Sequence, residues 1–286
     1  MSNLLDELVH LLDLETIEHN LFRGQSRDVG GRSVFGGQVV AQSLVAAMRT
    51  LTEKRQCHSL HAYFLRPGDI ETPIVYEVDR IRDGGSFTTR RVVASQHGEA
   101  IFNMSASFHV LERGLEHQAA TAPEIPPPEQ LESDYEIRLR VAQRVPERVR
   151  PALTQKRAID IRPVDPIDFV NPTPKPPRRQ AWFRADGKLD EDLGLHQAIM
   201  AYASDFGLLG TGMTTHGLSF ADPNVQAASL DHLIWFHHPF RADDWLLYDM
   251  ESPCAMNARA FNRGQIFQNG KLVASVCQEG LMRVRK

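Results

Sequence analysis

Two segments, VFGGQVVAQSLVAAM at 34–48 and LGLHQAIMAYASDFG at 193–207, are apolar nearly all the way round at helical spacing. A helix without a polar face belongs inside a core. Each is followed by four strand-like runs. After the first come HSLHAYFLR, PIVYEVDRI, SFTTRRVVASQ and EAIFNMSASFHV, broken at Pro67-Gly68-Asp69, Asp83-Gly84-Gly85 and His97-Gly98. After the second come SLDHLIWFHHPF, DWLLYDMES, NARAFNRGQIFQ and KLVASVCQEGLMRV. At an offset of 172 residues Phe64 falls on Phe236, Pro67 on Pro239, Tyr76 on Tyr248, Arg91 on Arg263, Gln96 on Gln268 and Gly98 on Gly270. Turns and strands stay in register, so the chain reads as a duplicated helix-plus-sheet unit. The expected class is α+β: two curved antiparallel sheets, each wrapped around a long buried helix.

Between the units lies a different composition. Twelve of the 17 prolines fall between Pro123 and Pro177. They flank ESDYEIRLRVAQR, which reads as a surface helix, so residues 116–178 are expected to be an extended connector between an N-terminal domain (1–115) and a C-terminal one (179–286). The stretch 16–25 reads as turns. The opening MSNLLDELVHLLDL reads as an amphipathic helix and not as a signal peptide, because Asp6 and Glu7 stand where a basic lead would be.

Several function classes are disfavoured by what the sequence contains. A net charge of -4 with Lys and Arg scattered among acids does not favour nucleic acid. No run approaches the roughly 18 apolar residues of a membrane span, so no stable membrane insertion is expected. Cys57, Cys254 and Cys277 form no closed set of pairs, which fits a reducing compartment. The serines at 33, 86 and 219 lie outside any GxSxG elbow. Gly210-Thr211-Gly212 lacks the third glycine and the preceding strand of a dinucleotide site. His237-His238 and His58 with His61 lack metal-ligand spacing, so no metal is assigned.

Three polar positions stand out. Asp205 sits near the carbonyl end of the second buried helix, where negative charge is unfavourable. In the closing strand, alternation puts Gln278 on one face with Leu272, Ala274, Val276, Gly280 and Met282. A buried amide needs partners or costs roughly 1–3 kcal/mol. Ser229 precedes the LDH run. The corresponding first-unit residues are Ala46 for Asp205 on a looser alignment, Ala106 for Gln278 and Cys57 for Ser229. A solvated helix end for Asp205 and a backbone-bonded amide for Gln278 remain open readings. Gly36-Gly37-Gln38 opens the first buried helix, whose free N–H groups suit an oxyanion.

FRGQS, VFGGQV, YFLRPGD, SFTTRRV, YASDFGLL, LDHLIWFHHPF and VASVCQEGLMR together resemble the acyl-CoA thioesterase II family over essentially the whole chain. The resemblance implies a double hotdog fold and hydrolysis of acyl-CoA by an activated water, with no cofactor. It implies Asp205, Ser229 and Gln278 as the catalytic set, with Ser229 where the family has threonine. It also implies a cytoplasmic homo-oligomer, a dimer or tetramer. Candidate substrate contacts are Gly36, Gly37 and Gln38 at the helix start, His58, and Arg66 and Arg91 for the phosphates of CoA; Arg90 and Arg263 are candidates by composition. Alternatives are a non-catalytic acyl-CoA binding or sensing protein and a hotdog enoyl-CoA hydratase, although the Asp and His pair expected near a glycine-rich helix start in the latter is not found.

Overall fold

Residues 3–31, 33–145, 147 and 150–285 are described by the computed structural model, with elements numbered in chain order. Helix α1 (Asn3–Leu12) buries Leu5, Leu8 and Leu12. The stretch expected to be turns forms two short strands, β1 (Glu15–Glu18) and β2 (Leu21–Gly24), around Asn20 at φ 62°. Four residues are too few to show a period. These strands exist because β2 pairs with β4.

The first unit continues with α2 (Gly36–Met48), β3 (Gln56–Phe64), β4 (Ile74–Asp83), β5 (Phe87–Gln96) and β6 (Glu99–His109). The connector carries α3 (Asp134–Ala142), started by a Ser133/Glu136 capping box, then α4 (Arg150–Thr154) and β7 (Ile159–Pro163). It does more than cross the surface: Ile137 and Val141 are buried, and β7 pairs with β8 at the sheet edge. The second unit holds β8 (Arg178–Ala185), α5 (Leu193–Ala203), α6 (Leu208–Thr214), β9 (Val225–Ser229), β10 (Asp231–Phe236), β11 (Leu246–Met256), β12 (Arg259–Gln268) and β13 (Lys271–Val284).

The duplication is visible in the ladders. Arg90 faces Ala106 in the first unit, and the residues at offset 172, Asn262 and Gln278, face each other in the second. The strand order is β1-β2-β4-β5-β6-β3-β10-β13-β12-β11-β8-β7, with β9 also on β13. The architecture is the expected double hotdog, but its two curved sheets are halves of one, because the open edges of β3 and β10 pair with each other. His61 lies opposite Leu233, its own equivalent at offset 172, so the local two-fold passes between them.

Helix α5 ends at Ala203 with Ser204 as its C-cap, which leaves Asp205 just beyond the helix. Gly207, at φ 83°, precedes α6 and does not close α5. Helix α6 was not legible in GLLGTGM because glycine reads as a breaker. Here glycine permits contact: a Cβ on Gly212 would stand 2.6 Å from the Ala260 Cβ. Among the described residues no helix is long and apolar enough to cross a membrane.

Candidate active site

The N-terminus of α2 meets the C-terminus of α5. Phe35, the N-cap of α2, supplies no capping side chain, which leaves early N–H groups without a local acceptor. Gly37 N–H instead donates to Asp205 Oδ2 at 2.9 Å, across 168 residues of chain. The glycine pair is what allows this approach. A Cβ on Gly36 would lie 2.8 Å from Asp205 Oδ2, and one on Gly37 would lie 2.3 Å from the Tyr202 carbonyl oxygen. Aromatic contacts fix the crossing: Phe35 stacks on Phe206 with ring centroids 4.5 Å apart and meets the edge of Tyr202 at 5.2 Å.

The sheet supplies the other half. Gln278, fully buried on β13, donates from Nε2 to Asp205 Oδ1 at 2.7 Å and to His232 Nδ1 at 3.1 Å. Since Leu233 pairs with Cys277, His232 stands at the register position of Gln278. Its Nε2 contacts Ser204 Oγ at 2.8 Å, and Ser204 Oγ donates to the Ala201 carbonyl at 3.1 Å. With Nδ1 accepting, the imidazole proton belongs on Nε2. Burial pushes the His232 pKa down, and the neighbouring Asp205 opposes this only in part. Tyr248 O–H donates to the Ser204 carbonyl at 3.0 Å, and burial raises its pKa well above the usual phenol value. Gln278 Oε1 and Asn262 Oδ1 are buried and have no donor among the described residues.

Ser229, Gly36, Phe64 and Arg66 line a neighbouring cavity of about 340 Å³. Ser229 faces Gly280 on the ladder, which puts it on the same sheet face as Gln278. No hydrogen bond joins Ser229 to Asp205 or Gln278 among the described residues. Arg66 is exposed at the cavity, paired with Glu99 at 3.4 Å and donating to the Ala100 carbonyl.

The other candidates lie elsewhere. Gln38 turns inward, donating to the Gln25 carbonyl and accepting from Arg27 N–H. His58 sits at the far end of β3 on Ser107 Oγ, and Arg91 pairs outward with Asp79. Arg90 is fully buried on Thr50 and Asp83, and Arg263 pairs with Glu251. Charge and alternation identified these side chains but not their partners. His232, Ser204 and Tyr248 were missed as site residues; alternation in DHLIWF does set His232 on the inner face with Ile234 and Phe236.

Residues 168–281 match the family described as acyl-CoA thioesterase, and residues 25–109 match the acyl-CoA thioesterase N-terminal domain. The chain is also 42% identical over 284 residues to acyl-CoA thioesterase 2 of Haemophilus influenzae, covering 99% of both chains. The chain belongs to the acyl-CoA thioesterase family. A crystal structure of the acyl-CoA thioesterase II TesB2 from Mycobacterium marinum is similar to this thioesterase-family chain at 44% identity, with a TM-score of 0.79 and 98% of each chain covered. A hot dog fold protein from Alicyclobacillus acidocaldarius, at 20% identity and a TM-score of 0.77 over 98% of this chain and 99% of its own, shares the fold.

Proposed function

We propose that this chain hydrolyses fatty acyl-CoA to a fatty acid and CoA, using a water activated by Asp205. The observation that carries the reading is the Asp205 carboxylate, fixed between the Gly37 N–H of one helix and the Gln278 amide of the sheet. A carboxylate held in this way is oriented before substrate arrives. Asp205 takes a proton from water as the water oxygen attacks the thioester carbon. Gln278 Oε1, a buried acceptor, and Ser229 Oγ at the adjoining cavity orient that water. The carbonyl oxygen becomes an oxyanion beside the positive end of α2. Collapse expels CoA as thiolate, and the proton held by Asp205 goes to it. No covalent acyl-enzyme forms.

Gly36 and Gly37 keep the helix start open to the thioester, and Arg66 stands where the phosphates of CoA would leave the cavity. Free Cys57, Cys254 and Cys277 support a reducing, cytoplasmic setting. Exposed Tyr63, Phe87 and Phe261 support self-association as a dimer or tetramer.

The test follows CoA thiol release from acyl-CoA esters of several chain lengths, comparing wild type with Asp205→Asn. The expected loss in kcat is about 10²- to 10⁴-fold, with fold and acyl-CoA binding retained. Full activity in Asp205→Asn would remove Asp205 from the chemistry. Binding without thiol release in wild type would make the chain a sensor.

A further inference from the structure

A second cavity, of about 400 Å³, lies on the β8 and β11 side of the α5 terminus. Ala203, Phe206, Phe183, Ile161, Tyr248 and Met250 give it apolar walls, and the connector closes it with Asp134, Arg138 and Arg157. Arg179 of β8 completes the lining. The lining therefore holds three guanidiniums and one carboxylate.

That carboxylate is already committed. Asp134 Oδ2 accepts from Arg138 Nε at 2.7 Å and from Arg157 Nη1 at 3.4 Å. Arg157 also lies over the Phe206 ring, 5.0 Å from its centroid, next to the catalytic Asp205. Arg179 donates from Nη1 to the Gly207 carbonyl at 3.3 Å, and among the described residues no carboxylate pairs with it. Desolvation lowers the pKa of both Arg157 and Arg179. Arg157 and Arg179 are half-buried, whereas the more deeply buried guanidiniums of Arg90 and Arg55 sit on Asp83 and Glu53. A cation held against apolar walls without a counter-charge is unfavourable for folding alone. Its fork geometry matches a carboxylate or phosphate.

We infer that this cavity is an anion subsite in which Arg179, supported by Arg157, receives a carboxylate or phosphate group of the substrate. An apolar cavity of this size with few convergent polar groups suits one small ligand portion. The anion has two sources in an acyl-CoA: a carboxylate at the far end of the acyl chain, or the phosphates of CoA. The inference rests on the acyl-CoA hydrolase reading for its kinetic readout.

The experiment compares wild type, Arg179→Gln and Arg179→Lys on three substrates of matched, medium chain length: methyl-ended acyl-CoA, ω-carboxyacyl-CoA, and S-acyl-pantetheine, which lacks the phosphates. Loss of one charge-assisted bond raises the affected KM on the order of tenfold, and the Lys variant recovers part of it. A rise confined to ω-carboxyacyl-CoA supports the subsite and assigns it to the acyl end. A rise for both CoA esters but not for S-acyl-pantetheine supports it and assigns it to CoA. An equal change on all three substrates, or none, overturns it. Thermal melting of each variant identifies misfolding. If wild type releases no thiol from any ester, the hydrolase reading fails separately. Calorimetric titration of Asp205→Asn, with and without Arg179→Gln, using ω-carboxyacyl-CoA and methyl-ended acyl-CoA then decides the subsite: equal affinities in both backgrounds overturn it.

Discussion

The crossing of α2 and α5 has two ends related by the local two-fold, and the catalysis proposed above is assigned to only one of them. At the active end α2 has no cap of its own, and Asp205 of the other unit supplies it. At the opposite end α5 is capped from within by Asp192, which accepts from Gly194 N–H at 2.9 Å. The positions equivalent to His232 and Gln278 are Leu60 and Ala106 there, both buried and apolar. The helix C-termini differ in sign as well. The Thr50 carbonyl, at the end of α2, accepts from the buried Arg90 guanidinium, the charge that a helix C-terminus favours. Past the end of α5 stands Asp205, the charge it disfavours, retained by donors from α2 and β13. The silent end also has the larger cavity, of about 1210 Å³, lined by Val45, Met48, Arg49, Asp192 and Gly194. The proposed site therefore lies away from this larger space. Under the proposed mechanism, a few side chains trade local stability for a poised carboxylate.

The sharpest way to break the contrast is to make the active end resemble the silent one. Gln278→Ala restores the first-unit residue and removes one of the two donors on Asp205; kcat is expected to fall about 10²- to 10³-fold in a thiol-release assay. Gly37→Ala attacks the crossing itself. Its Cβ would press on the Tyr202 carbonyl, so urea unfolding should show a loss of about 1–3 kcal/mol, with activity falling as well. A third expectation concerns acid. His232 has a lowered pKa in the fold, so between that value and its ordinary value of 6.5 the unfolded chain binds more protons. Its contribution thus disappears as pH falls below about 6.5, with a slope of up to about 1.4 kcal/mol per pH unit. His232→Asn should flatten that slope in denaturant titrations across the acid range. The smallest effect belongs to the silent end: Asp192→Ala should cost about 1 kcal/mol as a lost cap and leave kcat unchanged.

The frame of the molecule was legible because it is periodic. Apolar periodicity located α2 and α5, alternation located most long strands, and the 172-residue offset matched positions that the ladders then place equivalently, Ala106 opposite Arg90 and Gln278 opposite Asn262. Asp205 and Gln278 emerged as polar residues in apolar settings, the kind of local conflict that sequence exposes. What remained hidden was relational. Gly37 and Asp205 meet only because two helix ends cross, and no spacing records a crossing. The terminus of α5 came two residues earlier than the apolar run implied, since Ser204 ends the helix from within a segment of helical composition. Charge type marked Arg90 and Arg91 as candidates and passed over Arg179. Only the fold shows that the first two have acids beside them and that, among the described residues, the third has none.

The ladder between β3 and β10 makes the two halves of the chain necessary to each other in a way the connector does not. A chain cut within the connector would place Asp205 and Gln278 on one fragment and the Gly37 donor on the other. Each fragment alone would also present a bare strand edge, β3 or β10. Mixing the pieces would close that edge and bring the donor to the carboxylate in the same event, so that catalysis would report directly on reunion of the halves.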